Sequence, residues 1–379
     1  MLRVGITGQA GFVGSHLFNT LGLFPDKYTR IPFEDGFFSK QELLNNFVSQ
    51  CDVIVHLAAM NRHNDPNVIY STNIELVKKL ISACETTESR PHILFSSSTQ
   101  EERDNPYGKS KREGREMLGN WASANKARFT GLIIPNVYGP FGNPYYNSVV
   151  ATFCHQLTHG EQPRIDTDGE LKLIYVGELV AFILGIIGKD PERESSGARV
   201  EQVRVPHTAE IKVSQILNLL EEFKQKYFEK GEMPSLDNEF QKNLFNTFVC
   251  YIDHSKFYPF HLVKNTDNRG SFIEVIKLSS GGQVSFSTTH PGITRGNHFH
   301  TRKAERFAVI KGKATIEIRR IGTDKKLSFE LDGEEPSFVD MPVWYTHNIT
   351  NTGNEDLYTF FWINEKYNAD DPDTWFESV

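Results

Sequence analysis

Residues 2–17 read LRVGITGQAGFVGSHL. Leu2 to Thr7 has the composition of a strand, and a glycine turn follows it directly. Gly8, Gly11 and Gly14 are spaced GxxGxxG, and a helical pattern runs on from Gly14 to Leu21. A strand that passes through such a turn into a helix builds an anion cradle. The first glycines permit a tight turn and a close backbone approach to a pyrophosphate. The third lets the helix pack closely, and the helix N-terminus faces the anion. Gly8, Gly11, Phe12, Val13 and Gly14 are therefore candidate dinucleotide contacts.

Outward from this stretch, short apolar runs alternate with helical patterns. CDVIVHLAA (51–59) is near-continuously apolar, as in a strand covered on both faces. Residues 70–84 are helical in period, HILFSSS (92–98) reads as a strand, 107–120 as a helix, and FTGLIIPNVYG (129–139) as a strand again. Such alternation predicts βαβ units, an α/β Rossmann fold with a doubly wound parallel sheet and ligands at the carboxyl ends of its strands.

After Pro206 the pattern changes. Residues 211–228 form an amphipathic helical pattern with Ile216, Leu219, Leu220 and Phe223 on one face, and a second helical pattern ends near Tyr251. Beyond it, alternating runs such as GSFIEVIKL (270–278), KATIEIRRI (313–321) and LYTFFWIN (357–364) are separated by Gly, Asn and Asp. They predict an all-β barrel or sandwich. At 379 residues the chain suits two domains, expected at 1–248 and 249–379.

The net charge of −7 and the lack of a basic stripe argue against a nucleic-acid partner. Cys51, Cys84, Cys154 and Cys250 lack zinc or redox spacing, so reduced thiols are expected. The chain enters its first strand without a signal-peptide pattern, and no apolar run is long enough to span a bilayer. These features predict a soluble cytoplasmic protein with no membrane partner.

Tyr107 and Lys111 stand at i and i+4 in a helix that Asn105 can cap and Pro106 can begin. In that geometry the ammonium is expected to lower the phenol pKa and to hold a cofactor ribose. The phenol then passes a proton to a carbonyl oxygen. The serine run 96–98 at a strand end supplies a further hydroxyl.

Gly8/Gly11/Gly14, HLAA (56–59), the serine run, Tyr107/Lys111 and NVYGP (136–140) resemble the motifs of the extended short-chain dehydrogenase/reductase family, over roughly the first two thirds of the chain. The resemblance implies Tyr107 as proton donor or acceptor, Lys111 as its partner, and Ser98 as the hydroxyl that orients the substrate carbonyl. It also places Leu57, Ala58, Ala59 and Asn73 at the cofactor, and Asn136 and Asn147 at the substrate. Two departures stand out. Only eight residues separate Ser98 from Tyr107, and Thr99 is followed by Gln100-Glu101 where the family's dehydratases carry Asp-Glu. Reduction or epimerisation is therefore expected over dehydration. For the cofactor, KYTRIPFED (27–35) offers both Arg30, which suits the 2′-phosphate of NADPH, and Glu34/Asp35, which suit NAD. The expectation is NADPH.

The second half holds GITRGNHFHTRKAERFAVIKG (292–312). Strand alternation puts His298 and His300 on one face, and after a turn Glu305, Phe307 and Val309 share it. With His347 further on, two or three imidazoles and a carboxylate suit Zn²⁺, Fe²⁺, Mn²⁺ or Ni²⁺. Both motifs resemble those of the cupin superfamily, with Trp344 where a cupin usually has glycine, which narrows the expected cavity mouth. TDNRGSFIE (266–274) and TRGNH (294–298) also look like motifs of nucleotide-linked 4-keto-6-deoxyhexose 3,5-epimerases, in which the residue at His298 is the base. His298 thus has two readings, ligand and base. His300, Glu305 and His347 favour the ligand, with Zn²⁺ as the ion, structural or catalytic.

The fusion of both halves resembles a family of bifunctional capsular-polysaccharide enzymes. That likeness implies a UDP-linked 4-keto-6-deoxy amino sugar as substrate. The cupin would epimerise C3 of UDP-2-acetamido-2,6-dideoxy-4-hexulose, and the reductase would reduce C4 to UDP-2-acetamido-2,6-dideoxy-L-talose. A homodimer is expected. The alternative is a UDP-sugar 4-epimerase whose cupin only dimerises, with a swapped edge strand near 257–262.

Overall fold

The computed structural model describes residues 1–188, 198–267, 270–273, 275–276, 282–365 and 368–379, with backbone alone at 265–267, 270–273 and 283. Contacts divide them into two compact units. One comprises Met1–Tyr138, Gly142–Ser148 and Glu170–Ile211; the other comprises Gly139–Phe141, Val149–Gly169 and Lys212–Val379.

In the first unit β1 (Leu2–Thr7), α1 (Phe12–Gly22), β2 (Tyr28–Ile31), α2 (Gln41–Gln50), β3 (Val53–His56), α3 (Pro66–Thr86), β4 (His92–Ser98), α4 (Pro106–Asn125), β5 (Arg128–Ile134) and β6 (Asn136–Tyr138) follow in order. After α5 (Val149–Thr158) of the second unit come β7 (Glu170–Tyr175), α6 (Val176–Gly188), β8 (Arg199–Arg204) and β9 (Ala209–Lys212). The six-stranded sheet runs β2-β1-β3-β4-β5-β8 with every pair parallel. Leu17, Leu21, Leu179 and Ile183 of α1 and α6 cover one face. Phe47, Val77, Leu80 and Leu118 of α2, α3 and α4 cover the other. This double cover explains why the strands read as unbroken apolar runs. The chain leaves β1 for β2 on one side and returns to β3 on the other, so the topological switch point, where such sheets bind ligands, lies between β1 and β3.

The second unit adds α7 (Val213–Phe223), which continues as a π-helical turn over Lys224–Phe228, then α8 (Glu239–Val249) and α9 (His254–Phe257). Its strands are β10 (Phe260–His261), β11 (Lys264–Asp267), β12 (Gly270–Ile273), β13 (Gln283–Thr289), β14 (Thr294–Phe299), β15 (Glu305–Lys311), β16 (Lys313–Arg320), β17 (Lys326–Asp332), β18 (Ser337–Met341), β19 (Tyr345–Asn351), β20 (Leu357–Ile363) and β21 (Trp375–Phe376). Two five-stranded antiparallel sheets, β10-β18-β15-β20-β13 and β17-β16-β19-β14-β21, enclose Ala308, Ile316, Phe329, Phe338 and Ile349 in a cupin-like core. β10 pairs with β18 of the same chain, Phe260 opposite Phe338. β11 and β12 form a hairpin, whereas Asn268, Arg269 and Glu274 of the epimerase-like motif lie outside the described residues.

The units part at Ile211/Lys212, whereas the sequence patterns put the division at 248/249. The reason is a buried polar tie. Tyr227, in the π-helical turn, donates its hydroxyl to Asp340 of β18, and Asp340 is in turn paired with Arg306 of β15 at 2.9 Å. An amphipathic period announces that a helix buries a face but not which partner covers it.

Candidate functional site

In the first unit, the carboxyl ends of β1, β3 and β4 and the N-terminus of α4 carry the expected residues. Gly8 has φ +71°, and a Cβ there would meet the Ala58 Cα and amide nitrogen at 2.9 Å. A Cβ on Gly14 would lie 2.2 Å from the Gly8 carbonyl oxygen. The turn, α1 and the Leu57–Ala59 segment therefore close on one another only because glycine stands at both places. Leu57 donates its amide to the Thr7 carbonyl at 3.1 Å. No side chain caps α1, whose N-cap is Gly11, and no acid stands in its first turn. Phe12 and Val13 follow as its first residues. A glycine-only approach beside an uncapped helix start fits a dinucleotide pyrophosphate.

Arg30 does not reach this cradle. In the sheet register it sits opposite Val4, four residues before Gly8. Its guanidinium is drawn to α1, where it stacks on Phe18 at 4.5 Å from the ring centroid and donates to the Phe18 carbonyl at 3.3 Å. Glu34 and Asp35 are exposed beyond the strand end. Asn73 is buried and its amide is fully engaged: Oδ1 accepts from the Met60 amide at 2.7 Å, and Nδ2 donates to the Met60 carbonyl at 3.1 Å and to Ser110 Oγ at 3.0 Å. It therefore ties the segment after β3 to α4.

Asn105 caps α4 by accepting from the Gly108 amide at 2.7 Å, and Pro106 opens the helix. Lys111 is buried, and its ammonium donates to the Ser96 carbonyl at 2.8 Å. It lies 5.7 Å from the Tyr107 ring centroid and 5.1 Å from that of Phe95. Burial brings the Lys111 pKa down to about 7, against the pull of Glu101. The phenol of Tyr107 departs from expectation. Burial, with Tyr146 nearby, pushes it up, and the ammonium is anchored on the Ser96 carbonyl. A raised phenol holds its proton, as a donor must.

Ser98 ends β4 and accepts from the Gln100 amide at 3.1 Å. Glu101 is buried and bound by Arg115, with Nε at 2.9 Å and Nη2 at 2.9 Å, and by the Ser97 hydroxyl. The carboxylate that follows the serine run is thus neutralised by a bidentate guanidinium, a tie of fourteen residues that no local pattern announces. Asn136, which opens β6, and Asn147 are both exposed. Tyr146, beside Asn147, accepts from the Asn61 amide at 3.2 Å and was not expected at the site.

In the second unit, His298, His300, Glu305 and His347 converge with ligand atoms all within 4.8 Å of one another. β14 pairs with β19, His298 opposite His347, after a bulge at Gly296–Asn297 where both residues have positive φ. Nε2 of His300 lies 3.3 Å, and Nε2 of His347 3.1 Å, from Glu305 Oε2, yet neither approach has hydrogen-bond geometry. The outer nitrogens are occupied: His300 Nδ1 donates to the Asp373 carbonyl, and His347 Nδ1 faces the Tyr345 carbonyl at 3.3 Å. Three orphaned buried donor atoms aimed at one point, from two imidazoles and a carboxylate, fit a divalent cation of the zinc type. Burial brings His298 down to about 4, aided by His347 and His300. Burial works upward on Glu305, but His300 and His347 outweigh it and hold the carboxyl well below its usual range.

Trp344 takes the backbone of the glycine it replaces, with φ +62°. Its ring is buried and stacks on Phe299 at 5.4 Å. Phe299 alternates with His298 and His300, so this ring lies on the face away from the cage and does not narrow it.

A parallel sheet with a glycine cradle at its switch point and a Tyr-Lys helix beside it define a dinucleotide-binding class of domain. A family model described as the NAD dependent epimerase/dehydratase family matches residues 4–197, and the polysaccharide biosynthesis C-terminal domain matches 265–375. The chain belongs to the NAD-dependent epimerase/dehydratase family and carries the polysaccharide biosynthesis C-terminal domain behind it. It is 31% identical to the UDP-2-acetamido-2,6-beta-L-arabino-hexul-4-ose reductase of Pseudomonas aeruginosa, over 100% of this chain and 99% of the relative. The crystal structure of the capsular polysaccharide assembling protein CapF from Staphylococcus aureus is 35% identical, covers 100% of both chains and superposes with a TM-score of 0.62. CapF with the inhibitor 3-isopropenyl-tropolone is similar at 33% identity and a TM-score of 0.59, again over 100% of both chains.

Proposed function

We propose that the chain is a bifunctional nucleotide-sugar enzyme of capsular-type polysaccharide synthesis. The barrel epimerises C3 of UDP-2-acetamido-2,6-dideoxy-4-hexulose, and the reductase domain that precedes it reduces the C4 ketone to UDP-2-acetamido-2,6-dideoxy-L-talose. The observation that carries this reading is the presence, in one chain, of a half-buried Tyr107 with a buried Lys111 beside a glycine cradle and of a His298/His300/Glu305/His347 cage in which all but His298 are buried. The Pseudomonas relative, a UDP-linked hexul-4-ose reductase matched over its full length, supports the substrate class.

Gly8, Gly11 and Gly14 would hold NADPH, which would supply the hydride for C4. Tyr107 gives O4 its proton, for which a phenol held protonated by burial is suited. Lys111 steadies the charge left on that oxygen, and the Ser98 hydroxyl orients the carbonyl. Elimination of water is disfavoured because Glu101, the remaining acid of that stretch, is held by Arg115. Asn136 and Asn147 stand exposed to receive the sugar. A ketone at C4 acidifies the C3 proton, so epimerisation must precede reduction. Zn²⁺ in the cage would brace the barrel or polarise the enolate. His298, kept neutral by its low pKa, serves the cage. The enzyme works as a cytoplasmic homodimer in this reading; among the described residues no helix is long and apolar enough to cross a membrane.

The test supplies the protein with UDP-GlcNAc, a 4,6-dehydratase and either NADPH or NADH, and identifies the product by NMR. The 6-deoxy-talose product is expected, with NADPH preferred, and Tyr107→Phe should oxidise NADPH roughly a hundredfold more slowly or worse. Tight retention of NAD⁺ and a 4-epimer product would establish the alternative.

A further inference from the structure

Between the cage residues His300 and Glu305 the chain turns through Thr301–Ala304, and this turn draws its bonds from a segment some seventy residues later. Asp373 is buried at 4% exposure with φ +42°. Its carboxylate accepts from the Thr301 amide at 3.1 Å, the Arg302 amide at 2.9 Å, the Thr301 hydroxyl at 2.7 Å and Trp375 Nε1 at 3.2 Å. Its own carbonyl accepts from His300 Nδ1. Arg302 donates to the Asp371 carbonyl at 3.0 Å, and Lys303 to the Pro372 carbonyl. Just beyond, β21 zips onto β14, with Trp375 opposite Phe299 and Phe376 opposite His298.

A carbonyl can only accept, so the proton of His300 stands on Nδ1 and the lone pair of Nε2 turns inward, toward Glu305. One residue thus sets two things: its carboxylate fixes the turn that spaces His300 from Glu305, and its carbonyl fixes the ring and tautomer of His300.

We propose that Asp373 is the positioning residue of the barrel's metal cage, acting through His300. It touches neither ion nor substrate. The inference rests on the reading of the cage as a divalent-cation site, and the test separates the two.

Full-length protein is stripped with a chelator, checked for its fold by circular dichroism, and titrated with Zn²⁺ against a chromophoric competitor. The parent is expected to take up one equivalent. Asp373→Ala should bind tenfold or more weakly, in the range seen when an outer-shell partner of a metal ligand is lost. Asp373→Asn, which keeps an oxygen for the two amides and tolerates a left-handed backbone, should fall between. Asp371→Ala, which removes only a surface contact to Arg302, should match the parent. A parent that takes up no metal overturns the reading of the cage itself. An Asp373→Ala protein within twofold of the parent, or an Asn variant no better than Ala, overturns the role of Asp373. Should the alanine variant not fold, the zinc-loaded parent labelled with ¹⁵N-histidine decides. A slowly exchanging proton on His300 Nδ1 is expected, and a bare or freely exchanging Nδ1 refutes the assignment.

Discussion

A buried lysine is costly to keep charged, and Lys111 shows what the site gains in return. Its side chain is 3% exposed, its ammonium has the Ser96 carbonyl as its nearest acceptor, and burial takes its pKa from 10.5 to about 7. The folded value lies below the unfolded one, so between these limits the unfolded chain binds more protons and stability rises with pH. Below about pH 7 the full cost of the buried charge is present; toward pH 10.5 it disappears. Lys111→Met removes that cost at every pH but also removes the hydrogen bond to Ser96. The melting temperature of the variant, relative to the parent, should therefore be several degrees more favourable at pH 6 than at pH 9.5, while ketosugar reduction falls at least tenfold at both. Paired thermal melts check the sign, and a pH-independent difference refutes it. The residue types of this site were legible in the sequence because proton transfer needs a phenol and an ammonium one helical turn apart. Their electrostatics were not. The expected lowering of the Tyr107 phenol fails because burial pushes it up, and the ammonium is held by Ser96, an acceptor fifteen residues earlier that only the packing of α4 against β4 brings near.

At the scale of the element, the glycine turn separates a folding requirement from a binding one. A Cβ at Gly14 would meet two backbone carbonyls, at 2.2 Å from Gly8 and 2.9 Å from Gln9, so α1 must move off the sheet to accept it. At Gly11 the nearest atom is the Gly8 carbonyl oxygen at 3.1 Å, and φ is −73°, open to any residue. Gly14→Ala should lower the melting temperature by several degrees, a cost of roughly 1–3 kcal/mol for forced overpacking. Gly11→Ala should melt close to the parent yet raise the KM for the dinucleotide tenfold or more, since its methyl group would stand where a pyrophosphate approaches. Equal effects of the two on stability would refute this division of labour. Both glycines were readable from spacing alone, as were the cage residues, since alternation on β14 fixes His298 against His300. The segment that seats the cage was not. Asp373 reaches Thr301 across seventy-two residues, with no period to mark it, and β21 has only two residues. Arg30 was read from its place near a strand end; that its guanidinium lies over the Phe18 ring is a contact no spacing marks.

For the whole molecule, the consequence lies in where the barrel begins. The all-β pattern starts after residue 249, and a fragment cut there would be the natural choice for measuring deuterium uptake at C3 on the barrel alone. Yet the strands lean on what precedes them. Arg306, with no exposed surface, is bidentate to Asp340 at 2.9 and 3.0 Å and also donates to the Gly231 carbonyl. Asp340 accepts from Tyr227, whose hydroxyl also meets that of Tyr258 at 2.8 Å. Asn246 donates to the Arg302 carbonyl at 3.1 Å, on the turn between the cage ligands. Cutting at 249 removes Tyr227, Gly231 and Asn246 together. It strips an ion pair at the heart of the unit of its cover and leaves an Arg306 donor without its acceptor. Each buried polar group so orphaned costs about 1–3 kcal/mol, and together they approach the whole stability of a domain this size. Residues 249–379 are therefore expected to bind a hydrophobic dye and to melt without a cooperative transition. Residues 212–379, which keep all three groups though not α5, are expected to melt more cooperatively than the shorter fragment and, given zinc, to exchange the C3 proton of the ketosugar in heavy water. The two melts, run side by side, decide the point: if the shorter fragment unfolds as sharply and at the same temperature, the helices of residues 213–249 are a linker and not part of the barrel's core.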